Sequence, residues 1–458
     1  MVRGLLVVAL CAVLLPFAPS AQAVVATVTS LTGTAARAGE AATVTVTVTD
    51  AAGAPLAGVT VTVERAVAGA WGAVGQVVTD PQGRAVLAAP LARSVGDNVF
   101  RASYAGDATY APSVSPDVPV ALVRRTSTLA LDAPRKVVDE RSVEVAVTWR
   151  ADSGEGVAGR VELQQRRRGR WVPLQRLTTD AAGRARVAYA PRTDVRIRVV
   201  ATLLDWVEGA TSSVRRIDNR PPIKPVSLPR GAPRPRITLP PQQRAVGGGP
   251  NPVVTPIPDR TWDQMTGISW HPGCPVGRAG LRLLRVNYWG YDGYRHRGEL
   301  VVNAGATGQF VGALSEMYAR RFPIRAMYRV DRFGWSPRLR GGNDYASMAA
   351  GNTSAFNCRN VVNRPGVRSP HSWGRSLDVN TWENPFRSAT GLVPNAWWQP
   401  RSDPKVAWRS GSHPVVRLMR RHGFSWTYGT GDSQHFDARS GGRIVQDLRG
   451  PACAGTCH

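Results

Sequence analysis

Two short segments in the last quarter of the chain hold the residue types that hydrolytic metal chemistry requires. One reads Ser369-Pro-His371-Ser-Trp-Gly374-Arg-Ser376-Leu-Asp378-Val-Asn380, the other Asp432-Ser-Gln-His435-Phe436-Asp437. Histidine, aspartate and an open cavity are what a hydrolytic zinc site needs. No H-E-x-x-H occurs, so the helical arrangement of many zinc proteases is absent. Gly374 suits a turn, and residues 376–380 alternate as a strand does. Leu377 and Val379 then face the core, and Ser376, Asp378 and Asn380 face the other way. His371 can fold back over the turn to meet Asp378. In the second segment Phe436 packs inward while His435 projects out. The spacing alone also allows both histidines to be satisfied core residues.

The elements that must position these side chains lie in residues 261–458. All seven His fall there, with ten of the Trp. Residues 308–322 read as a helix, with Phe310, Val311, Leu314, Met317 and Tyr318 recurring at helical spacing before Pro323. Val415-Val416-x-Leu418-Met419 suggests a second helix ending near His422-Gly423. Short strand-like runs lie between and after, so an α+β domain is expected. His271, His296, His413, His422 and His458 lack a matching carboxylate context and are read as ordinary.

The chain opens with a positive Met1-Val2-Arg3, an apolar run from Leu5 to Leu15 and a small-x-small Ala21-Gln22-Ala23. This reads as an export signal over 1–23, too short to span a bilayer. No later run has about 18 uninterrupted apolar residues, so no transmembrane segment is expected in the mature chain. Removing the signal leaves Cys274, Cys358, Cys453 and Cys457. An even number in an exported chain favours disulfides. Four Cys allow three pairings, and local closure of Cys453 with Cys457 would leave Cys274 with Cys358.

Residues 24–122 and 123–217 read as two copies of one β module. Trp71 matches Trp171, and Thr79-Asp80-x-x-Gly83-Arg84-Ala85 matches Thr179-Asp180-x-x-Gly183-Arg184-Ala185, each at an offset of 100 residues. That period fits an immunoglobulin-like sandwich. The paired Trp are read as core or sheet-face packing, not as binding platforms. Neither module contains His or Cys, which argues against metal or thiol chemistry there. Residues 218–260, with twelve Pro from Pro221 to Pro258 and interspersed Arg, read as an extended linker.

The formal charge is +26 and only three basic residues are Lys (Lys136, Lys224, Lys405), so 58 − 3 = 55 are Arg. An anionic partner is implied. No phosphate-binding loop or nucleic-acid motif accompanies the charge, so no specific nucleic-acid partner is expected. Anionic wall polymers are the partner expected outside the cell, held by clusters such as Arg166-Arg167-Arg168.

The pattern Ser-x-His-x-x-Gly-x-Ser-x-Asp at 369–378 followed by Asp-x-x-His-Phe at 432–436 resembles the zinc D-alanyl-D-alanine carboxypeptidases, a family that includes D-Ala-D-Ala dipeptidases and phage endolysins. Cys274-Pro275-Val276, Tyr291-Asp-Gly293, residues 298–302, Arg321-Phe-Pro-Ile324, residues 352–359 and Asn384-Pro385 are similar to its extracellular branch. The two sandwiches and the linker lie outside the match; with them the chain reads as multidomain, two all-β immunoglobulin-like sandwiches followed by what the resemblance implies for 261–458, an α+β zinc D,D-peptidase domain of hedgehog/DD-peptidase type. The resemblance implies Zn²⁺ on His371, Asp378 and His435, and Asp432 as general base and then acid. Arg359 would stabilise an oxyanion or hold a substrate carboxylate, with Ser369, Ser376 and Asp437 supporting ligands or substrate. Family members usually carry Ala where this chain has Ser376. The implied activity is hydrolysis of a bond next to a D-amino acid in peptidoglycan stem peptides by a secreted, wall-associated enzyme. An endolysin-like endopeptidase and an inactive wall-binding adhesin are the alternatives.

Overall fold

The computed structural model describes residues 24–362 and 364–439. Residues 1–23, read above as an export signal, and Cys453, Cys457 and His458 lie outside the described residues. The chain divides into two compact units. Unit 1 comprises residues up to Arg135, Ser142–Tyr189 and Asp194–Asp218; unit 2 comprises the remainder, chiefly Asn219 onwards.

Unit 1 repeats one topology. In its first half β1 (Thr27–Gly33), β2 (Ala41–Asp50) and β5 (Arg84–Pro90) form one antiparallel sheet in the order β1-β2-β5. A second sheet is built on β4 (Ala70–Val78), β3 (Thr60–Val67) and β6 (Val99–Tyr104), in the order β4-β3-β6. Alternation decides which face is buried: Val44, Val46 and Val48 of β2 meet Val61 and Val63 of β3 and Phe100 of β6 in one core. The second half uses β7 (Ser127–Asp132), β8 (Val143–Ala151) and β11 (Arg184–Tyr189) as β7-β8-β11, facing β10 (Arg170–Thr178), β9 (Arg160–Arg167) and β12 (Val195–Ala201) as β10-β9-β12. Each half is thus a sandwich of two antiparallel sheets.

The Asp-x-x-Gly repeat is a turn device in both copies. Asp80 Oδ1 accepts the N–H groups of Gln82 and Arg84, each at 2.9 Å, and Asp180 Oδ1 those of Ala182 and Arg184 at 2.9 and 2.8 Å. Gly183 sits at φ +74°, where a Cβ would lie 2.1 Å from the Trp149 carbonyl oxygen, so only glycine fits. The paired Trp lie on a sheet face beneath arginines: Arg101 is 4.1 Å from the Trp71 ring centre and Arg198 is 4.4 Å from that of Trp171.

Unit 2 mixes helices and strands. β13 (Val253–Pro256), β14 (Leu281–Trp289) and β15 (Arg295–Asn303) form an antiparallel sheet preceded at its hairpin by α1 (Asp259–Met265). α2 (Thr307–Ala319) packs Phe310, Ala313, Leu314 and Met317 into the core beneath that sheet. Its sequence periodicity extends to Phe322, but the helix stops at Ala319: Arg321 takes φ +56° ahead of Pro323, which disfavours helix in the residue before it. α3 (Asp344–Ala349) follows, and α4 (Pro414–Arg421) buries Val415, Val416, Leu418 and Met419.

The proline-rich stretch is extended and packs on the rest of unit 2, to which it belongs. Val226, Leu228 and Ala232 cover Trp382 and Trp398. Proline lacks an N–H but keeps its carbonyl, and these carbonyls are used: Pro233 accepts from Trp382 Nε1 at 2.7 Å and Pro240 from the Tyr328 hydroxyl at 2.6 Å. No helix among the described residues is long and apolar enough to cross a membrane.

Candidate metal centre

Three elements deliver the site. β16 (Ser376–Asp378) pairs antiparallel with β18 (His435–Ala438), and β17 (Phe424–Ser425) flanks β18 on its other side. The register sets Leu377 opposite Phe436 and Asp378 opposite His435. Leu377, Val379 and Phe436 are all in the main core of unit 2. Burying each such side chain is worth about 1.5–3 kcal/mol. A one-residue slip would turn Asp378 and His435 into that core, so apolar packing fixes the register that pairs the two polar residues.

His371 arrives from a single 3₁₀ turn, Pro370–Trp373. Ser369 caps the turn by accepting the His371 N–H, and Gly374 ends it in the left-handed conformation at φ +65°. A Cβ on Gly374 would lie 2.9 Å from the Asn303 backbone nitrogen. The chain therefore reverses there, and His371 folds back towards Asp378. Residues 352–359 brace this arrangement. Ser354 and Asp378 exchange backbone hydrogen bonds at 3.0 and 2.9 Å, and His371 Nδ1 donates to the Ala355 carbonyl at 2.6 Å.

The result is a buried cluster of ligand-type atoms. His371 Nε2 and His435 Nδ1 are 3.2 Å apart, His371 Nε2 and an Asp378 carboxylate oxygen 3.2 Å, and His435 Nδ1 and the other Asp378 oxygen 3.1 Å. In a tetrahedral zinc site with bonds near 2.0–2.1 Å, neighbouring ligand atoms lie about 3.3–3.4 Å apart. The three groups thus have the spacing of ligands in such a site and could hold a metal ion. The outer ring nitrogens fix which nitrogen of each ring faces inward. The Ala355 carbonyl can only accept, so His371 carries its proton on Nδ1 and turns the Nε2 lone pair inward. His435 Nε2 donates to Asp437 Oδ1 at 2.8 Å, so Nδ1 is the ring nitrogen turned towards Asp378 and His371.

Asp437 is itself held in place. Its carboxylate accepts from Ser376 Oγ at 2.7 Å and Thr427 Oγ1 at 2.6 Å. Burial raises the Asp437 pKa, but His435 and the two hydroxyls outweigh it and bring the carboxyl down to about 2. Burial likewise lowers the His435 pKa, yet the Asp437 and Asp378 carboxylates push it well above the ordinary imidazole range. Tyr428 covers the other side of His435, with ring centres 5.2 Å apart. His435 thus faces away from the Phe436 core, as its alternation implies, but is fully buried.

That stretch matches a known family. Residues 363–438, which include His371, Asp378, Asp432 and His435, match the model of a family described as D-alanyl-D-alanine carboxypeptidase. No curated protein matches the chain. Among solved structures, a candidate superoxide reductase from Thermotoga maritima aligns with 20% of this chain and 86% of its own, at 12% identity and a TM-score of 0.18. A tetra-tandem repeat from the extending region of a large adhesion protein aligns with 61% of this chain and 63% of its own, at 12% identity and a TM-score of 0.32. Scores this low carry no argument.

The remaining expected site residues fall as follows. Asp432 is buried beside the trio's strand, and its backbone carbonyl accepts the His435 N–H at 3.4 Å. Ser369 serves the 3₁₀ turn and Ser376 serves Asp437. Arg359 is buried, and its guanidinium donates to Asp344 at 2.8 Å and to the Asn360 carbonyl at 3.1 Å. Cys274 and Cys358 form a disulfide across 84 residues. His271 lies against this pair, but the two sulfurs are bonded to each other, so those three residues are no ligand set. His422 is paired with Glu316 at 2.7 Å, His296 with Asp292 at 2.9 Å, and His413 caps α4.

Sequence reading missed Asp344 and Thr427. Asp344 opens α3, and burial raises its pKa against the opposing pull of Arg359; the Asp378 charge adds to the rise and His371 opposes it. Asp344 is therefore part of the electrostatic surroundings of the trio. No local pattern marks either residue, because each acts across a contact distant in sequence.

Proposed function

We propose that unit 2 is a zinc-dependent peptidase that hydrolyses an amide bond next to a D-amino acid in the peptide stem of peptidoglycan. The observation that carries this reading is the convergence of two inward-facing imidazole nitrogens and one carboxylate, 3.1–3.2 Å apart, inside the segment that matches a D-alanyl-D-alanine carboxypeptidase family. The export signal read over residues 1–23 adds that the enzyme works outside the cell, where its substrate is.

His371, Asp378 and His435 would hold the ion. Bound Zn²⁺ supplies a water acidified towards pH 7 and a Lewis acid for the scissile carbonyl. The chain's own groups do the rest. Asp437 holds the His435 ring and its tautomer, and the Ala355 carbonyl does the same for His371. Asp432, three residues ahead of His435, takes the proton of the attacking water and returns it to the leaving amine. Arg359, oriented by Asp344, offsets the negative charge that develops on the carbonyl oxygen.

Mass spectrometry of muropeptides digested by the zinc-loaded full chain tests the assignment. Release of single D-Ala identifies a carboxypeptidase, and broken cross-links identify an endopeptidase. Absence of both, from folded protein with zinc bound, overturns the peptidase reading. Asp432→Asn should lower kcat by about 10²–10⁴ while zinc content stays unchanged. His371→Ala should lose the zinc.

A further inference from the structure

The two halves of unit 1 carry the same hairpin with opposite surface chemistry. The tip between β3 and β4 reads Ala66-Val67-Ala68-Gly69-Ala70; 100 residues later the tip between β9 and β10 reads Arg166-Arg167-Arg168-Gly169-Arg170. Their geometry is the same. Ala66 pairs with Trp71 and Val67 with Ala70, as Arg166 pairs with Trp171 and Arg167 with Arg170. Ala68 and Gly69 have φ of 49° and 83°, and Arg168 and Gly169 have 47° and 81°. Both hairpins also shift register at the same place, between Val63 and Glu64 and between Leu163 and Gln164.

The first hairpin acts as an internal control. Alanine and valine make this turn, so the turn does not require arginine. Arg167 opposite Arg170 puts like charges on a direct cross-strand pair, which is unfavourable for the hairpin itself. All four arginines are exposed, and among the described residues no carboxylate pairs with any of them. Arg166 donates to the Gly169 carbonyl at 3.4 Å and Arg167 reaches the Gln165 amide, but the apolar twin makes the same turn with neither contact, so the fold does not require the four cations.

We propose that the β9–β10 tip is a binding site for a flexible phosphodiester polymer. A convex tip encloses no small anion, and a single exposed ion pair is weak in water. A polymer engages several guanidinium groups at once and gains from released counterions. Guanidinium presents paired donors that fit phosphate oxygens two at a time. The tip offers no apolar side chain to insert into a bilayer, and the nearby Trp171 lies beneath Arg198, so a polymer is favoured over a membrane surface. This site is independent of the peptidase reading.

The test transplants the first tip onto the second: Arg166→Ala, Arg167→Val, Arg168→Ala and Arg170→Ala in the full chain. The same turn already forms with those residues, and an unchanged melting temperature checks the fold. The probes are poly(glycerol phosphate), single-stranded DNA and phosphatidylglycerol vesicles, titrated across 50–200 mM salt, conditions in which counterion release is read directly. The expected result is at least about tenfold weaker polymer binding by the variant, with the log–log salt slope shallower by about 3 for four lost contacts. Binding of poly(glycerol phosphate) alone would mark a wall-type polymer as the source, and binding of both polymers a shared phosphodiester chemistry. Polymer binding equal in variant and parent, or a loss confined to vesicles, overturns the proposal.

Discussion

At the scale of single residues, the chemistry of the site rests on hydrogen-bond partners behind the ligand atoms. Asp437 accepts hydrogen bonds from Ser376, Thr427 and His435, so one carboxylate organises three side chains. Losing such an outer partner typically costs a metal site about ten- to a hundredfold in affinity. Asp437→Asn is expected to weaken zinc by that range in a chelator-competition titration, and Ser376→Ala by less, because Thr427 remains. Ser376→Thr should restore the parent value; failure to do so would show that the hydroxyl is not what matters. Asp437 also predicts an acid response. Its folded carboxyl lies at about 2 against an ordinary 3.8, so its ionised form stabilises the fold fully above 3.8, and that contribution is lost as pH falls through about 2. Denaturant melts of metal-free protein should lose less stability across that window in Asp437→Asn than in the parent.

At the scale of elements, two short strands and a single 3₁₀ turn carry the site, and none is stable alone. Their placement comes from Leu377 and Phe436 in the core and from the reversal at Gly374. Gly374→Ala forces a side chain into the left-handed region and against the Asn303 backbone. A cost of about 1–3 kcal/mol is expected, together with weaker zinc binding, since His371 lies on the turn that shifts. Retained zinc affinity at reduced stability would mean that the turn tolerates the change without moving His371. The helix and strand patterns near the site were legible in the sequence because they are local: Leu377 and Val379 alternate inward, and α4 shows its stripe of Val and Leu. The end of α2 was less legible, since the periodicity runs past the residue where Pro323 takes effect.

At the scale of the whole molecule, the Cys274–Cys358 disulfide joins the loop between α1 and β14 to the segment bracing His371. Closing an 84-residue loop restricts the unfolded chain, and removing such a bond typically costs about 2–5 kcal/mol. Cys274→Ala with Cys358→Ala should lower the denaturation midpoint accordingly, with the peptide products unchanged in the fraction still folded. A midpoint equal to the parent's would mean that packing around Trp262 and Trp270 suffices. The duplicated sandwiches place their sequence differences on identical frames, which is why the arginine tip stands out against its apolar twin.

By itself the sequence determined the residue types of the site, their inward and outward alternation, the turn at Gly374 and the 100-residue repeat. These follow from short-range rules: strand period, glycine's freedom at positive φ and the preferences of turns. Only the tertiary structure decided that His435 meets His371 and Asp378 across 64 and 57 residues, that Asp344 shares their electrostatic surroundings, and that the proline-rich stretch is packed into unit 2 against Trp382 and Trp398. Those outcomes depend on long-range packing. Cores of Trp, Phe and Leu choose which distant segments touch, and a proline carbonyl bonds wherever a buried donor is brought to it.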